Sequence, residues 1–195
     1  MPLGGCTSLK QLNLSGCSRL ASVNGLGGCS DLLEVDLAGC ISLVEVSALG
    51  ECKHLQTIDL SNSPKLVDVS GLGTCGSLRE IDLFNCAKVE SVSAFGGCKM
   101  LRSLNLSGCR QLKDVSGLKS CCELMWLDLS ICDNLADVSS LRECEKLISL
   151  NFSNSESLPD IHELASCVRL RMLNVDGTNG EGALDRELQM PIALQ

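Results

Sequence analysis

The chain has 195 residues, a net charge of −8 and a pI near 4.7, a balance that repels phosphate backbones and anionic bilayers and so argues against nucleic acid and membrane as partners. No run of about 18 apolar residues exists to cross a bilayer, and Met1-Pro2-Leu3-Gly4-Gly5 lacks the basic and apolar regions of a signal peptide. There is no Tyr, one Trp and three Phe, yet 45% of residues are apolar, which points to a core of many similar Leu and Val layers.

Reading from the N-terminus, Cys6 begins a unit that recurs without insertion until the last copy. Cys6, Cys29, Cys52, Cys75, Cys98, Cys121, Cys144 and Cys167 are each 23 residues apart. A second column on the same period holds Cys17, Cys40, Ser63, Cys86, Cys109, Cys132, Ser155 and Thr178. Leu9, Leu12, Leu14 and Leu20 of the first copy are matched by Leu101, Leu104, Leu106 and Leu112 of the fifth. Alternation in Leu12-Asn13-Leu14-Ser15 predicts a short strand, Gln11–Ser15 and its equivalents every 23 residues, with Leu inward and polar side chains outward. Gly16-Cys17 starts a turn, Leu20 and Val23 return to the core, and too few residues remain before the next Cys for a proper helix. The Ser of Asp68-Val69-Ser70 and its equivalents is expected to cap a single 3₁₀ or helical turn. Gly27-Gly28 and Gly96-Gly97 are expected to let the chain bend back into the next strand.

The unit reads C-x-x-L-x-x-[LIV]-[DN]-L-x-x-C-x-x-L-x-x-V-x-x-L-x-x. It contains L-x-x-L-x-L-x-x-[NC]-x-L and so resembles the leucine-rich repeat (LRR) over nearly the whole chain. Asp68-Val69-Ser70-Gly71-Leu72, echoed at 114–118 and 137–141, is similar to the short LRR subclass of bacterial internalins and of a nuclear regulatory subunit of protein phosphatase 1. The unit also resembles the 23-residue LRR proteins of kinetoplastid parasites. The resemblance implies an α/β-type repeat solenoid: a right-handed horseshoe with a parallel concave β-sheet and short 3₁₀ or irregular convex turns. One unit cannot bury its own Leu layer, so neighbours must stack, and eight strands would span roughly 35–40 Å of arc. Residues 6–182 form one domain of about eight repeats, with 183–195 a degenerate segment expected to lie over the last layer. Neither end reads as a finished cap, so the chain is expected to be part of a larger protein.

The cysteines alternate at 11 and 12 residues, without the C-x-x-C pairs of zinc sites. Ser63, Ser155 and Thr178 replace Cys freely in one column, which suits a buried weak hydrogen-bond donor and not a metal ligand. That column usually holds Asn in LRR proteins, satisfying turn backbone groups inside the solenoid, and the resemblance makes Cys, Ser and Thr its substitutes. The other column reads as a small apolar filler where the convex turn closes. Both columns are expected to be buried and reduced, which implies a reducing, cytoplasmic setting. Sequons at Asn13, Asn105 and Asn151 agree, because a glycan there would obstruct the sheet face. Cys122 is off-pattern: either an exposed reactive thiol or a partly covered inert one.

Chemistry is sparse. His54 lies two residues from Cys52, but nothing nearby supplies an oriented base or an oxyanion hole, and His162 is 108 residues away. Gly25-Leu26-Gly27-Gly28 lacks the Lys of a phosphate loop. No enzyme activity, metal or cofactor is therefore expected, and function is read from the sheet face. Asn13, Asp36, Asp59, Asp82, Asn105, Asp128, Asn151 and Asn174 stack down its centre. They are either a structural ladder eased by local hydrogen bonds or an acidic binding stripe flanked by Glu34 and Glu80; like charges on neighbouring strands are mildly destabilising. Phe84 stands where most copies have Ser, and Trp126 where others have Gln, Glu, Thr or Ser; Met125, Ile148 and Met172 extend that apolar group. These are either binding anchors or contacts to a flanking domain. The partner-binding candidates are Asp36, Asp59, Glu80, Asp82, Phe84, Met125, Trp126, Asp128, Ile148 and Met172. The leading expectation is a monomeric, non-catalytic protein-interaction scaffold whose partner presents a basic rim around an apolar anchor. The alternatives are the regulatory or substrate-recognition part of an enzyme complex, such as a phosphatase regulator or ubiquitin-ligase receptor, and a surface-displayed binding protein.

Overall fold

The computed structural model describes residues 5–157 and 161–178; the expected C-terminal cover at 183–195 lies outside the described residues. Eight strands, β1 (Gln11–Asn13), β2 (Glu34–Asp36), β3 (Thr57–Asp59), β4 (Glu80–Asp82), β5 (Ser103–Asn105), β6 (Trp126–Asp128), β7 (Ser149–Asn151) and β8 (Met172–Asn174), form one sheet in chain order. All pairs are parallel, and each residue faces its equivalent in the next repeat, from Gln11↔Glu34 to Asn151↔Asn174. The regular strands are three residues long, shorter than the expected Gln11–Ser15. Ladder bonds nevertheless continue beyond them, with Leu14 N–H on Asp36 O at 2.8 Å and Gly16 N–H on Ala38 O at 2.7 Å.

Each strand ends at a left-handed residue. Gly16, Gly39, Asn62, Asn85, Gly108, Ile131, Asn154 and Gly177 all have φ between 56° and 77°. Glycine carries no Cβ penalty there and Asn tolerates the region, whereas a β-branched side chain is strained. Ile131, at φ 57°, is the exception in the column.

The return half of each turn runs through a 3₁₀ turn, such as Ser70–Thr74, Ser93–Gly97 and Ser116–Ser120; among the described residues none exceeds five residues. The expected Ser cap is replaced by an acidic one. Ser70 is already the first helical residue, and its N–H donates to Asp68 Oδ1 at 2.8 Å. Asp114 and Asp137 fasten Ser116 and Ser139 in the same way. A carboxylate on a short side chain reaches the N–H two residues on, which is the geometry of an Asx turn. The glycines also act differently from expectation. Gly27, Gly28, Gly96 and Gly97 have no left-handed backbone. Instead, a Cβ on Gly97 would fall 1.8 Å from Gly73 O, so successive 3₁₀ turns meet backbone to backbone.

The core is one continuous stack. In the fifth repeat Leu101, Leu104, Leu106, Leu112, Val115 and Leu118 are all buried, and each such Leu or Val contributes about 1.5–3 kcal/mol on leaving water. Leu9, Leu12, Leu14 and Leu20 of the first layer are only partly buried, and Cys6 and Cys17 are exposed. The expectation of wholly buried cysteine columns thus fails at their first members, over which no described layer stacks.

Both inner columns donate hydrogen bonds, which corrects the reading of one as mere filler. Cys75 Sγ donates to Leu49 O at 3.1 Å and Cys98 Sγ to Leu72 O at 3.3 Å. In the second column Cys86 Sγ donates to Leu60 O at 3.1 Å and Cys109 Sγ to Leu83 O at 3.3 Å. The acceptor carbonyl also takes a backbone N–H from its own repeat, as Leu72 O does from Cys75, so both its lone pairs are engaged. The hydroxyl substitutes differ in outcome. Ser155 Oγ donates to Leu129 O at 3.0 Å and accepts Cys132 N–H, whereas the buried Ser63 Oγ has no partner among the described residues.

Candidate functional site

The outward side chains of the sheet form four columns. At the centre, the strand-ending Asp or Asn accepts the N–H two residues ahead: Asn13 from Ser15, Asp36 from Ala38, Asp59 from Ser61, Asp82 from Phe84, Asn105 from Ser107, Asp128 from Ser130 and Asn151 from Ser153. The other carboxylate oxygen takes a neighbouring amide. Asn13 Nδ2 donates to Asp36, Asn105 Nδ2 to Asp82 and Asn151 Nδ2 to Asp128, at 2.8, 3.3 and 3.1 Å. The column is therefore a structural ladder, and Asn offsets the repulsion between stacked carboxylates. Asp59 differs, because both its neighbours in the column, Asp36 and Asp82, are acidic. Burial, together with the charges of Asp59 and Asp128, raises the Asp82 carboxyl above its ordinary value against the lowering effect of the Phe84 N–H.

Two apolar groups stand beside this ladder. At the start of β6 Trp126 is 47% exposed between Ser103 and Ser149, and Met172 at the start of β8 is 64% exposed. Met125 and Ile148, each half-buried, precede β6 and β7. Ile148 also lines a half-open depression of about 390 Å³ with Val168, Arg169, Leu170 and Arg171. Phe84, 37% exposed, lies past the other end of β4, flanked in the ladder by Ser61 and Ser107. Two strand spacings and four residues along the strand separate it from Trp126, about 16 Å. The structure thus places Met125, Trp126 and Ile148 on adjacent repeats with Met172 two strands from Trp126, keeps Asp36, Asp59, Asp82 and the exposed Glu80 in a separate acidic half, and sets Asp128 beside Trp126.

This framework of a 23-residue coil, one parallel sheet and 3₁₀ returns matches solved structures closely in shape and weakly in sequence. An internalin from Listeria monocytogenes superposes with a TM-score of 0.67 at 18% identity, covering 91% of this chain and 57% of that one. A second, internalin C2 from the same organism, gives 0.68 at 20% identity, covering 82% of this chain and 68% of that one. Toll from Drosophila, in its complex with Spatzle, gives 0.69 at 18% identity, covering 88% of this chain and 24% of that one. The fold is the leucine-rich-repeat solenoid. No family model and no curated protein matches the sequence. The chain spans little more than half of the first internalin, so it corresponds to part of that LRR protein's length.

Within the LRR framework the cysteine–histidine candidate loses its chemistry. Cys52 is fully buried, donates its Sγ to Leu26 O and has its thiol pushed up to about 11 by burial, while His54 is exposed. A protonated buried thiol is a poor nucleophile. Among the described residues no group of three or more His, Cys, Asp or Glu could hold a metal ion.

Two features lie outside the candidates that the sequence singled out. Arg79 and Arg102, both exposed, stand just before β4 and β5, so the acidic half is bordered by cations and is not of one sign. Ile131 carries strain in the same repeat as Met125, Trp126 and Asp128, and it is half-buried and not part of the core. Aligning that column, where every other copy has Gly or Asn, would have revealed it.

Proposed function

We propose that this LRR domain is a non-catalytic interaction module that holds a partner protein against its concave sheet, anchored at Trp126. The observation that carries the reading is the exposure of Trp126 between two serines. The ladder uses Asp and Asn for its own stability and the core uses Leu, but no internal interaction calls for an indole at that position. Exposed aromatic anchors flanked by small polar residues are the usual centres of interfaces. Asp128 beside the anchor, with Asp59 and Asp82 in the neighbouring acidic half, favours a partner with basic residues around an apolar group, setting association rate and salt dependence while the anchor sets dissociation. A reducing, cytoplasmic setting suits the module, because both thiol ladders lose a bond when a cysteine is oxidised. Toll, a similar fold, is known in a complex with Spatzle, and a protein partner for this chain accords with that use of the fold.

The test is affinity capture with the wild-type chain, Trp126→Ser and, as an off-sheet control, Val67→Ser, each confirmed as folded by thermal denaturation. Partners lost with Trp126→Ser and kept with Val67→Ser support the reading. Identical capture by all three overturns it.

A further inference from the structure

Ile131 is a left-handed β-branched residue, half-buried and outside the core, that the turn does not require, since Gly or Asn makes the same turn in every other repeat. Strain of this kind, at a side chain outside the core, points to a role for that side chain beyond the turn. Its ladder neighbours place it: Ile131 N–H donates to Ser153 O, Gly108 N–H to Ser130 O and Asn85 N–H to Ser107 O. Ile131 therefore lies two strands from Phe84 at the same end of the sheet, about 10 Å away, with Ser107 and Gly108 between them. Large apolar residues thus stand at both ends of the sheet, Trp126 and Met172 at one and Phe84 and Ile131 at the other.

The midpoint between Trp126 and Phe84 is Asn105, the last residue of β5. Its register partners on either side are Asp82 and Asp128. A group lying on Asn105 meets two carboxylates at once. The line from Trp126 to Phe84 thus passes from an apolar anchor, over a doubly acidic centre, to a second apolar anchor.

We propose that this diagonal receives an extended segment of the partner with the pattern apolar-x-basic-x-apolar. One apolar side chain rests on Trp126 and Met172, the cation lies between Asp82 and Asp128, and the second apolar side chain rests on Phe84 and Ile131. An extended chain puts residues i, i+2 and i+4 on one face over about 13 Å. That is about 3 Å short of the span of about 16 Å between strand positions, a gap that long side chains at the two apolar positions of the segment cover. The proposal rests on the concave-face docking above and adds the chemistry and direction of the occupant.

The experiment is selection of a phage-displayed library of random peptides, each of about 12 residues and so long enough to cross the sheet, on the full chain. Fluorescein-labelled copies of the enriched peptides are then titrated by anisotropy. The expected consensus has two apolar positions four apart with Lys or Arg midway. Trp126→Ser and Phe84→Ser, which install the residue of neighbouring repeats, should each weaken binding about tenfold. Asp128→Asn should weaken it several-fold and remove the preference for a basic centre in a repeated selection. Ile131→Gly should raise the melting temperature and still weaken binding, a combination that a purely structural role would not produce. The proposal is overturned by no enrichment, by a consensus without the basic centre, or by peptides that bind Phe84→Ser and Ile131→Gly as well as wild type. A folded protein partner that needs Trp126 and is indifferent to Phe84 and Ile131 would overturn this segment proposal while leaving concave-face docking intact.

Discussion

Each turn of the coil has a strand half and a return half, written in nearly the same residues. Cys98 and Leu101 lead into β5, which contains Leu104, and Cys109, Leu112 and Val115 lead into the 3₁₀ turn Ser116–Ser120. In both halves the cysteine donates its Sγ at 3.3 Å to a carbonyl of the preceding repeat. In both, a polar side chain fastens the N–H two residues on, Asn105 for Ser107 and Asp114 for Ser116. Both also link neighbours through side chains, Asn105 to Asp82 and Ser91 to Asp114. What they share is what stacking requires. The halves part where the side chains face outward. The return half forms only isolated bridges, such as Glu45↔Asp68, and its exposed Val44 and Val67 suit short extended backbone, with Val67 N–H on Val44 O. The strand half carries Trp126, Phe84, Met172 and Ile131, none of which its backbone calls for. Departures from the shared pattern on the strand side are therefore where function is to be sought.

The equivalence of the two thiol columns is most severely tested by alkali. Burial raises the thiols of Cys86 and Cys132 in one column, and of Cys98 and Cys144 in the other, to about 12. A thiol raised in the folded state keeps its full stabilisation below the unfolded value, 9.0, and loses it as pH rises from there towards the folded value. Urea denaturation should thus show stability falling above pH 9, on the order of 1 kcal/mol per buried thiol for each pH unit. With several thiols in play the fold should melt within about two units of onset. Constant stability from pH 9 to 11 would show that the ladders are open to solvent.

Removing one layer is the next largest effect. Leu104→Ala should cost about 2–5 kcal/mol, because a one-dimensional stack has little means of collapsing around the cavity. Measured in parallel, Cys98→Ala and Cys109→Ala should each cost about 1 kcal/mol and agree with one another. A difference well beyond that would restore the filler reading for one column.

Smaller and opposite in sign are the changes at strained or unsatisfied positions. Ile131→Gly should stabilise by about 1 kcal/mol on relief of the left-handed strain. Ser63→Cys should stabilise by about 1 kcal/mol by giving a buried donor the reach its column neighbours have. Least of all, Asp59→Asn should gain about 0.5 kcal/mol at low salt and less at high salt, since it separates Asp36 from Asp82 with an amide as Asn105 separates Asp82 from Asp128. Loss of stability in Asp59→Asn would mean that the column draws more from the carboxylate than from relief of repulsion.

The period by itself determined most of this protein's architecture. A 23-residue spacing of Leu and Cys fixes which residues share a layer, that the strands are parallel and in register, and that the returns are too short for long helices. Each of these follows from chain length and the alternation of inward and outward side chains. The columns themselves, including Asp36 to Asp128 and the apolar breaks at Phe84 and Trp126, are legible in the sequence for the same reason. Stacking decided the rest. Whether a hydroxyl in the cysteine column finds a carbonyl, as Ser155 does and Ser63 does not, depends on the distance between layers. That Cys6 and Cys17 are exposed depends on having no described layer over them. That Ile131 is strained depends on the backbone angle past the end of β6. The separation of about 16 Å between Trp126 and Phe84 exists only once strands from different repeats lie side by side. Sequence periodicity encodes neighbours along and between repeats; the spacing, reach and strain that make a binding face arise only when the repeats are packed.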